Sequence, residues 1–254
     1  MLYHCNFTDI QRTVLKALFP PLDKKLRRHD TFDILEAIFL IVKTGMQWSR
    51  LPAGYPPYQT VYYHYRCWGE DPGLETALHA LVLMKRSCLG QNPEPSLGVV
   101  DSQSVRTGLP HAEAGVDGGK KVKGIKRHIM TDKNGFPLGV HVTLANVHDS
   151  KGAEPLIANT LSLFRNISAI KADLGYRGAF KDMPFSELGV IIECVKSNYG
   201  TPEFIPIQHR WVVERAFAWL QNYRRLASNF ERYRATAKAV TLFASVFFMV
   251  RYFG

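Results

Sequence analysis

Hydrophobic positions along the chain follow two different periods. Before residue 90 they recur at helical spacing. Thr8 stands where an N-cap belongs for a helix running to Phe19, and Pro20-Pro21 ends it. Thr31 opens a second helix, in which Phe32, Ile34, Leu35, Ile38, Phe39 and Val42 precede the terminating Gly45. A turn-rich stretch, 48–57 (WSRLPAGYPP), leads into a third helix from about Thr60 to Trp68, and a fourth covers residues 72–89.

From Leu97 the period shortens to that of strands. Residues 97–101 (LGVVD) form a short apolar run, while 124–131 (GIKRHIMT) and 136–144 (FPLGVHVTL) alternate on either side of the turn Asp132-Lys133-Asn134-Gly135. A helix is expected over 150–164, capped by Asp149 or Ser150, followed by a strand at 167–173, a helical stretch around 178–188, a strand at 190–195 and long helices from about Gln208. The order β-β-β-α-β-α-β-α predicts a mixed α/β sheet of five strands covered by helices. Residues 91–96 (QNPEPS) carry two prolines among polar residues and predict a linker, dividing the chain into a helical domain, 1–95, and an α/β domain, 96–254.

Composition narrows the function. A 254-residue chain with 46% hydrophobic and 21% charged residues is globular, which excludes a fibrous or disordered protein. Its 32 Lys+Arg against 22 Asp+Glu give a net charge of +10, most of it after residue 95, and this favours a polyanionic partner. An anionic membrane is the weaker choice. No run reaches the roughly 20 apolar residues of a spanning helix: 240–250 stops at Arg251, and 34–42 contains Glu36. The N-terminal residues have no basic and apolar leader pattern, so a cytoplasmic location is expected. Cys5, Cys67, Cys88 and Cys194 form no C-x-x-C pair and are expected to be reduced core thiols.

Two features bear on nucleic-acid chemistry. The third helix carries Tyr62, Tyr63, His64, Tyr65 and Arg66 after an irregular turn, an arrangement compatible with a helix-turn-helix-like DNA reader and equally with aromatic packing. In the α/β part, Lys120, Lys121, Lys123, Lys126, Arg127 and His128 follow a glycine-containing loop, 115–119, that is expected to order on binding DNA. Arg177, Arg210, Arg215, Arg224 and Arg225 extend the same positive field. His128, His148 and His209 have no zinc-pair spacing.

Three acids stand at the edges of core segments. Asp101 ends the first strand, Asp173 ends the fourth, and Glu214 lies on a late helix among Trp211, Val212, Phe217 and Leu220. A crossover that returns the fourth strand beside the first brings the aspartates to one sheet edge. Carboxylates side by side repel unless a divalent cation lies between them, and Mg2+ takes one or two carboxylates with water and phosphate oxygens.

The segments VVDSQSV, KVKGIKRHIMTDKNGFPLGV, ADLGYRG and RWVVERAFAWLQNYRRL, with TGMQWSRLPAGYPPYQTVYYHYRCW earlier, resemble in order the bacterial insertion-sequence transposases of the DDE superfamily, in the group typified by insertion sequences four and five. The resemblance implies a ribonuclease H-like catalytic domain behind a small all-helical DNA-binding domain. It implies Asp101, Asp173 and Glu214 as the metal-binding triad, holding two Mg2+ ions (Mn2+ as substitute). Its partners are then double-stranded DNA, namely terminal inverted repeats and target DNA, in a homodimer or larger assembly at the nucleoid. The related signature Y-x2-R-x3-E-x6-K is half kept: Arg210 and Glu214 match, while Ile207 and Gln221 replace tyrosine and lysine. A ribonuclease H-like nuclease without strand transfer, and a transposase-derived DNA-binding regulator, are the alternatives.

Overall fold

The computed structural model describes residues 7–19, 29–176, 189–195 and 210–253. Helix α1 (Asp9–Leu18) opens on a capping box: Gln11 N donates to Thr8 Oγ1 while Thr8 N donates to Gln11 Oε1. Helix α2 (Thr31–Thr44) is capped one residue earlier than expected, by Asp30, whose Oδ1 accepts from Phe32 N at 2.8 Å. It ends at Gly45 in the left-handed region, φ 72°. A 3-10 turn at Trp48–Arg50 precedes α3 (Tyr58–Glu70) and α4 (Gly73–Cys88).

The remainder is β1 (Leu97–Arg106), β2 (Gly115–Asp117), β3 (Val122–Thr131), β4 (Pro137–Leu144), α5 (Asp149–Leu163), β5 (Ala169–Asp173), β6 (Ile191–Val195), α6 (Arg210–Gln221) and α7 (Arg234–Val250). The sheet order is β2-β3-β1-β5-β6, with β4 also paired to β3. β1, β3 and β4 run antiparallel, then β1, β5 and β6 run parallel. This is the expected mixed, helix-flanked sheet behind a helical region. It has six strands among the described residues instead of five, because the glycine loop contributes β2. The helical stretch expected around 178–188 lies outside the described residues.

The change of texture at residue 95 is not a break in the core. Helix α7 is apolar on nearly all sides, so it must be enclosed on all sides. Helices α1–α4 cover part of it, and α6 and β4 cover the rest. The Tyr65 hydroxyl donates to Thr236 O at 2.6 Å, and its ring stacks on Phe243 at 5.6 Å. Gly69 permits the closest approach, since a Cβ there would lie 2.6 Å from the Ala239 Cβ. Arg86 of α4 pairs with Asp132 in the β3–β4 turn, both buried. Among the described residues no helix is long and apolar enough to cross a membrane.

Cysteine placement differs from expectation. Cys67 and Cys88 are exposed and Cys194 half-buried, and none of the three is in a disulfide. Cys5 lies outside the described residues.

Candidate active site and nucleic-acid-facing surface

The parallel register of β1 on β5 pairs Leu97 with Ala169, Gly98 with Ile170 and Val99 with Lys171, a constant offset of 72. Carried two residues on, that offset sets Asp101 level with Asp173. Side chains alternate along a strand, so Asp101 shares a face with Val99 and Gln103, and Asp173 shares it with Lys171. Gln103 lines a small cavity with Arg127, Ile129, Phe217 and Leu220, which places this face under α6.

Backbone groups orient both carboxylates. Asp101 Oδ1 accepts from Ser102 N at 2.7 Å, and Asp173 Oδ1 accepts from Gly175 N. Tyr176, three residues after Asp173, is buried beside Ser102. Burial first, then the negative charges of Asp101, Asp149 and Asp173, push its phenol far above the usual tyrosine range, so it stays a neutral donor.

Glu214 rides on the helix over the same face. Val212, Val213, Ala216, Phe217 and Leu220 bury one side of α6 against β1 and β3, leaving Glu214 exposed. Among the described residues no group of three or more His, Cys, Asp and Glu side chains is gathered closely enough to hold a metal ion. The structure therefore sets the two aspartates level and Glu214 above their face without closing all three around one point. Asp173 ends β5 as expected, whereas Asp101 lies inside β1, which runs on to Arg106; two hard oxygen donors set level on adjacent strands are the kind of ligand a hard divalent cation takes.

The basic stretch separates into two classes. Lys120, Lys121 and Lys123 are exposed at the β2–β3 turn, with Lys121 in the left-handed region at φ 54°. Lys126, Arg127 and His128 are buried, and this corrects their expected DNA-facing role, because β3 is covered on both faces. Lys126 Nζ lies 2.9 Å from Asp149 and 3.6 Å from Asp117, and donates to Val147 O at 2.9 Å. Arg127 Nη1 donates to Leu226 O at 2.6 Å; burial lowers its pKa to about 10, which leaves it charged. His128 Nε2 shares a hydrogen bond with Thr143 Oγ1, and burial pushes the imidazole down to about 3.

The glycine loop is also already ordered, a second correction. Ser104 Oγ donates to Asp117 Oδ2, while Gly119 N and Lys120 N donate to Asp117 Oδ1. The Ser104 hydrogen bond leads the causes that hold the Asp117 carboxyl at about 2.

The arginines divide similarly. Arg225 is buried against Glu231, with bonds of 2.9 and 2.8 Å, so its expected DNA contact is corrected to an internal ion pair. Arg215 is half-buried, stacked between Trp211 and Trp219 and donating to Asn134 O at 2.8 Å. Arg224 is exposed. Arg177 and His209 lie outside the described residues, and Arg210 is described only in its backbone, as the first residue of α6. His148 is exposed and caps α5, where Asp149 or Ser150 was expected. On α3, His64 and Tyr65 are buried in aromatic packing, whereas Tyr63 and Arg66 point outward.

Sequence reasoning missed the group beneath the aspartates. Ser102 Oγ donates to Asp149 Oδ1 at 2.9 Å, and Asp149 is the carboxylate that also holds Lys126. The available signal was the alternation of Lys126 and His128 with Ile125 and Ile129, which puts a lysine on a strand face that a helix covers.

Residues 92–190 match the family described as transposase DDE domain, a stretch that includes Asp101 and Asp173. Residues 7–78 match the family described as "putative transposase of IS4/5 family". A curated protein of Burkholderia cepacia, "putative transposase for insertion sequence element IS402", is 34% identical over 119 residues, 43% of this chain and 54% of that protein. The chain thus spans about half the length of the curated relative it matches. The crystal structure of the catalytic core domain of BIV integrase is similar at 13% identity and a TM-score of 0.34, over 57% of this chain and 80% of that one.

Proposed function

We propose that this chain is a DDE transposase of the IS4/5 group, which cleaves DNA at the ends of an insertion sequence and joins those ends to target DNA; its two stretches matching transposase families and its curated relative support this reading. The observation that carries the proposal is the offset of 72 between β1 and β5, which sets Asp101 level with Asp173 beneath the helix that bears Glu214. These three carboxylates hold divalent ions, Mg2+ or Mn2+, two per site. Bound there, the ions supply a Lewis acid for the phosphoryl oxygens and lower the pKa of the attacking water or 3′-hydroxyl.

The chain's own groups do the rest. Asp101 and Asp173 are pre-aimed by Ser102 N and Gly175 N, so little reorganisation is needed when a phosphate arrives. The buried phenol of Tyr176 excludes water behind them and stays protonated. Glu214, exposed on α6, completes the set by moving in when DNA is bound. Lys120, Lys121, Lys123 and Arg224 grip phosphates on the exposed surface; Arg177 and Arg210 are proposed contacts on sequence grounds. The residues before 96 and those after form the DNA-end-binding and catalytic parts of one body. The partners are double-stranded terminal inverted repeats and target DNA, held by a homodimer or larger assembly in the cytoplasm at the nucleoid.

The test uses labelled DNA carrying the element's own termini. With Mg2+ or Mn2+ the protein nicks the end and yields a product joined to target, and chelator abolishes both. Cleavage without joining would make it a nuclease; binding without cleavage would make it a regulator.

A further inference from the structure

Three cations gather where the helical region meets the end of α6. Lys43 lies in the last turn of α2, Arg224 follows α6, and Arg251 follows α7. Two buried rings, Phe39 and Tyr223, stand edge to face beneath them with centroids 6.4 Å apart. The Lys43 ammonium sits 5.1 Å over Tyr223, and the Arg251 guanidinium 5.3 Å over Phe39. The backbone of Arg224 packs so closely on Gly45 that a Cβ there would lie 3.2 Å from it. Burial, then the positive fields of Arg251 and Arg224, lower the Lys43 pKa. Among the described residues none of the three pairs with a carboxylate. Lys43 is accounted for in part by the end of α6, since its Nζ donates to Asn222 O at 3.1 Å. The side-chain donors of Arg224 and Arg251 have no such use among the described residues, and both side chains are exposed. Like charges brought together weaken a fold and are kept where a polyanion meets them.

An open path joins this cluster to the acids. Glu214, Ala218 and Gln221 recur at helical spacing on the exposed side of α6, and the small Ala218 keeps that face low. At roughly 1.5 Å per residue, Asn222 lies about 12 Å from Glu214 along the helix, the length of about three or four nucleotides of one strand in a duplex. We infer that Lys43, Arg224 and Arg251 form a site for the DNA backbone at the far end of α6 from Glu214, taking the phosphate about three or four nucleotides from the one under attack. The inference rests on the reading of the chain as a transposase acting on DNA ends. It makes the DNA site a joint product of α2, from the helical region, and of α6 and α7. Arginine suits an exposed phosphate because its planar fork donates two parallel hydrogen bonds, and the rings below hold that fork in place.

The test is a scan of end DNA in which one phosphate at a time is replaced by a neutral methylphosphonate, with affinity for the full chain read by fluorescence anisotropy. The bond nicked by the parent fixes the zero of the scan. The parent is expected to lose affinity about tenfold at the phosphates about three or four nucleotides from that bond, the scale of one charge-assisted hydrogen bond. Arg224→Gln/Arg251→Gln is expected to bind unmodified DNA more weakly and to lose nothing further at those same phosphates, while keeping the parental response elsewhere in the scan. Should the double variant fail to fold, Arg224→Gln alone decides in the same scan, with a reduced response there as the supporting result. If the cations only cover the rings and the helix end, the double variant melts earlier and its scan matches the parent's, which overturns the proposal. A parent indifferent to the phosphates in that window overturns it too. The parent's own behaviour separates the two ideas. If it nicks end DNA but the window is silent, only this proposal falls; if it binds end DNA no more tightly than unrelated DNA, the transposase reading falls and the proposal with it.

Discussion

Replacing Lys120, Lys121 and Lys123 together by alanine tests whether the β2–β3 turn grips DNA. All three are exposed, whereas Lys126 three residues on is enclosed by Asp149, Asp117 and Val147 O. A lysine that neutralises a phosphate releases condensed counterions, and each such contact adds about 0.9 to the slope of log affinity against log salt. Three contacts therefore lower the slope by about 2.7. Over a fourfold rise in salt the parent should lose roughly 40-fold more affinity than the triple variant. Lys126→Met should leave the slope unchanged, because that ammonium already has protein carboxylates as counterions. The assay is fluorescence anisotropy on end DNA at a series of salt concentrations. An unchanged slope in the triple variant would show that the turn is merely solvated. A fall of about 0.9 in Lys126→Met would refute the division of the basic stretch into exposed and enclosed halves.

Arg86→Met strips the partner from Asp132, which is 0% exposed, and should cost about 3–5 kcal/mol in a urea titration; a loss under about 1 kcal/mol would mean that the neighbouring N–H groups suffice. Gly152→Ala would place a Cβ 2.2 Å from His128 Nε2, so about 1–3 kcal/mol should vanish from the thermal stability, and an unchanged melting temperature would contradict that packing. His128 is held neutral in the fold, its pKa lowered to about 3 by burial, whereas the unfolded chain takes up the proton near its ordinary value of about 6.5. Its contribution is complete above that value and drains away as pH falls towards 3, by at most about 1.4 kcal/mol per pH unit. His128→Gln should therefore flatten the acid limb of the stability curve, and identical limbs would refute the assignment.

Much of this was legible because the period of the hydrophobic pattern changes where the architecture changes. The β3–β4 hairpin was marked by its Asp-Lys-Asn-Gly turn, which Asp132 closes by accepting from Asn134 N and Phe136 N. The level placement of Asp101 and Asp173 was latent in their spacing, since the strand offset equals it. Three things were hidden for physical reasons. Burial of a charge depends on what covers a strand, so Lys126, Arg127 and His128 read as a surface patch until α5 and α6 were in place. The Pro-rich segment at 91–96 signals a change of chain direction, and says nothing of α7 returning from the far end of the sequence to fill the core of the first helices. Arg225 reads as part of an exposed Arg-Arg pair, yet Glu231 six residues on draws it inward.

The central claim is that Asp101 and Asp173 are carboxylates for a divalent ion, and Asp101→Asn tests it most directly. Asparagine keeps the size and one acceptor oxygen but removes the charge that a hard cation requires, whereas the contacts proposed for DNA ends are lysines and arginines elsewhere. A nicking assay on labelled end DNA, run beside a gel shift on the same fragment, should show cleavage abolished and binding kept or slightly tightened. Near-parental cleavage by Asp101→Asn would contradict the account.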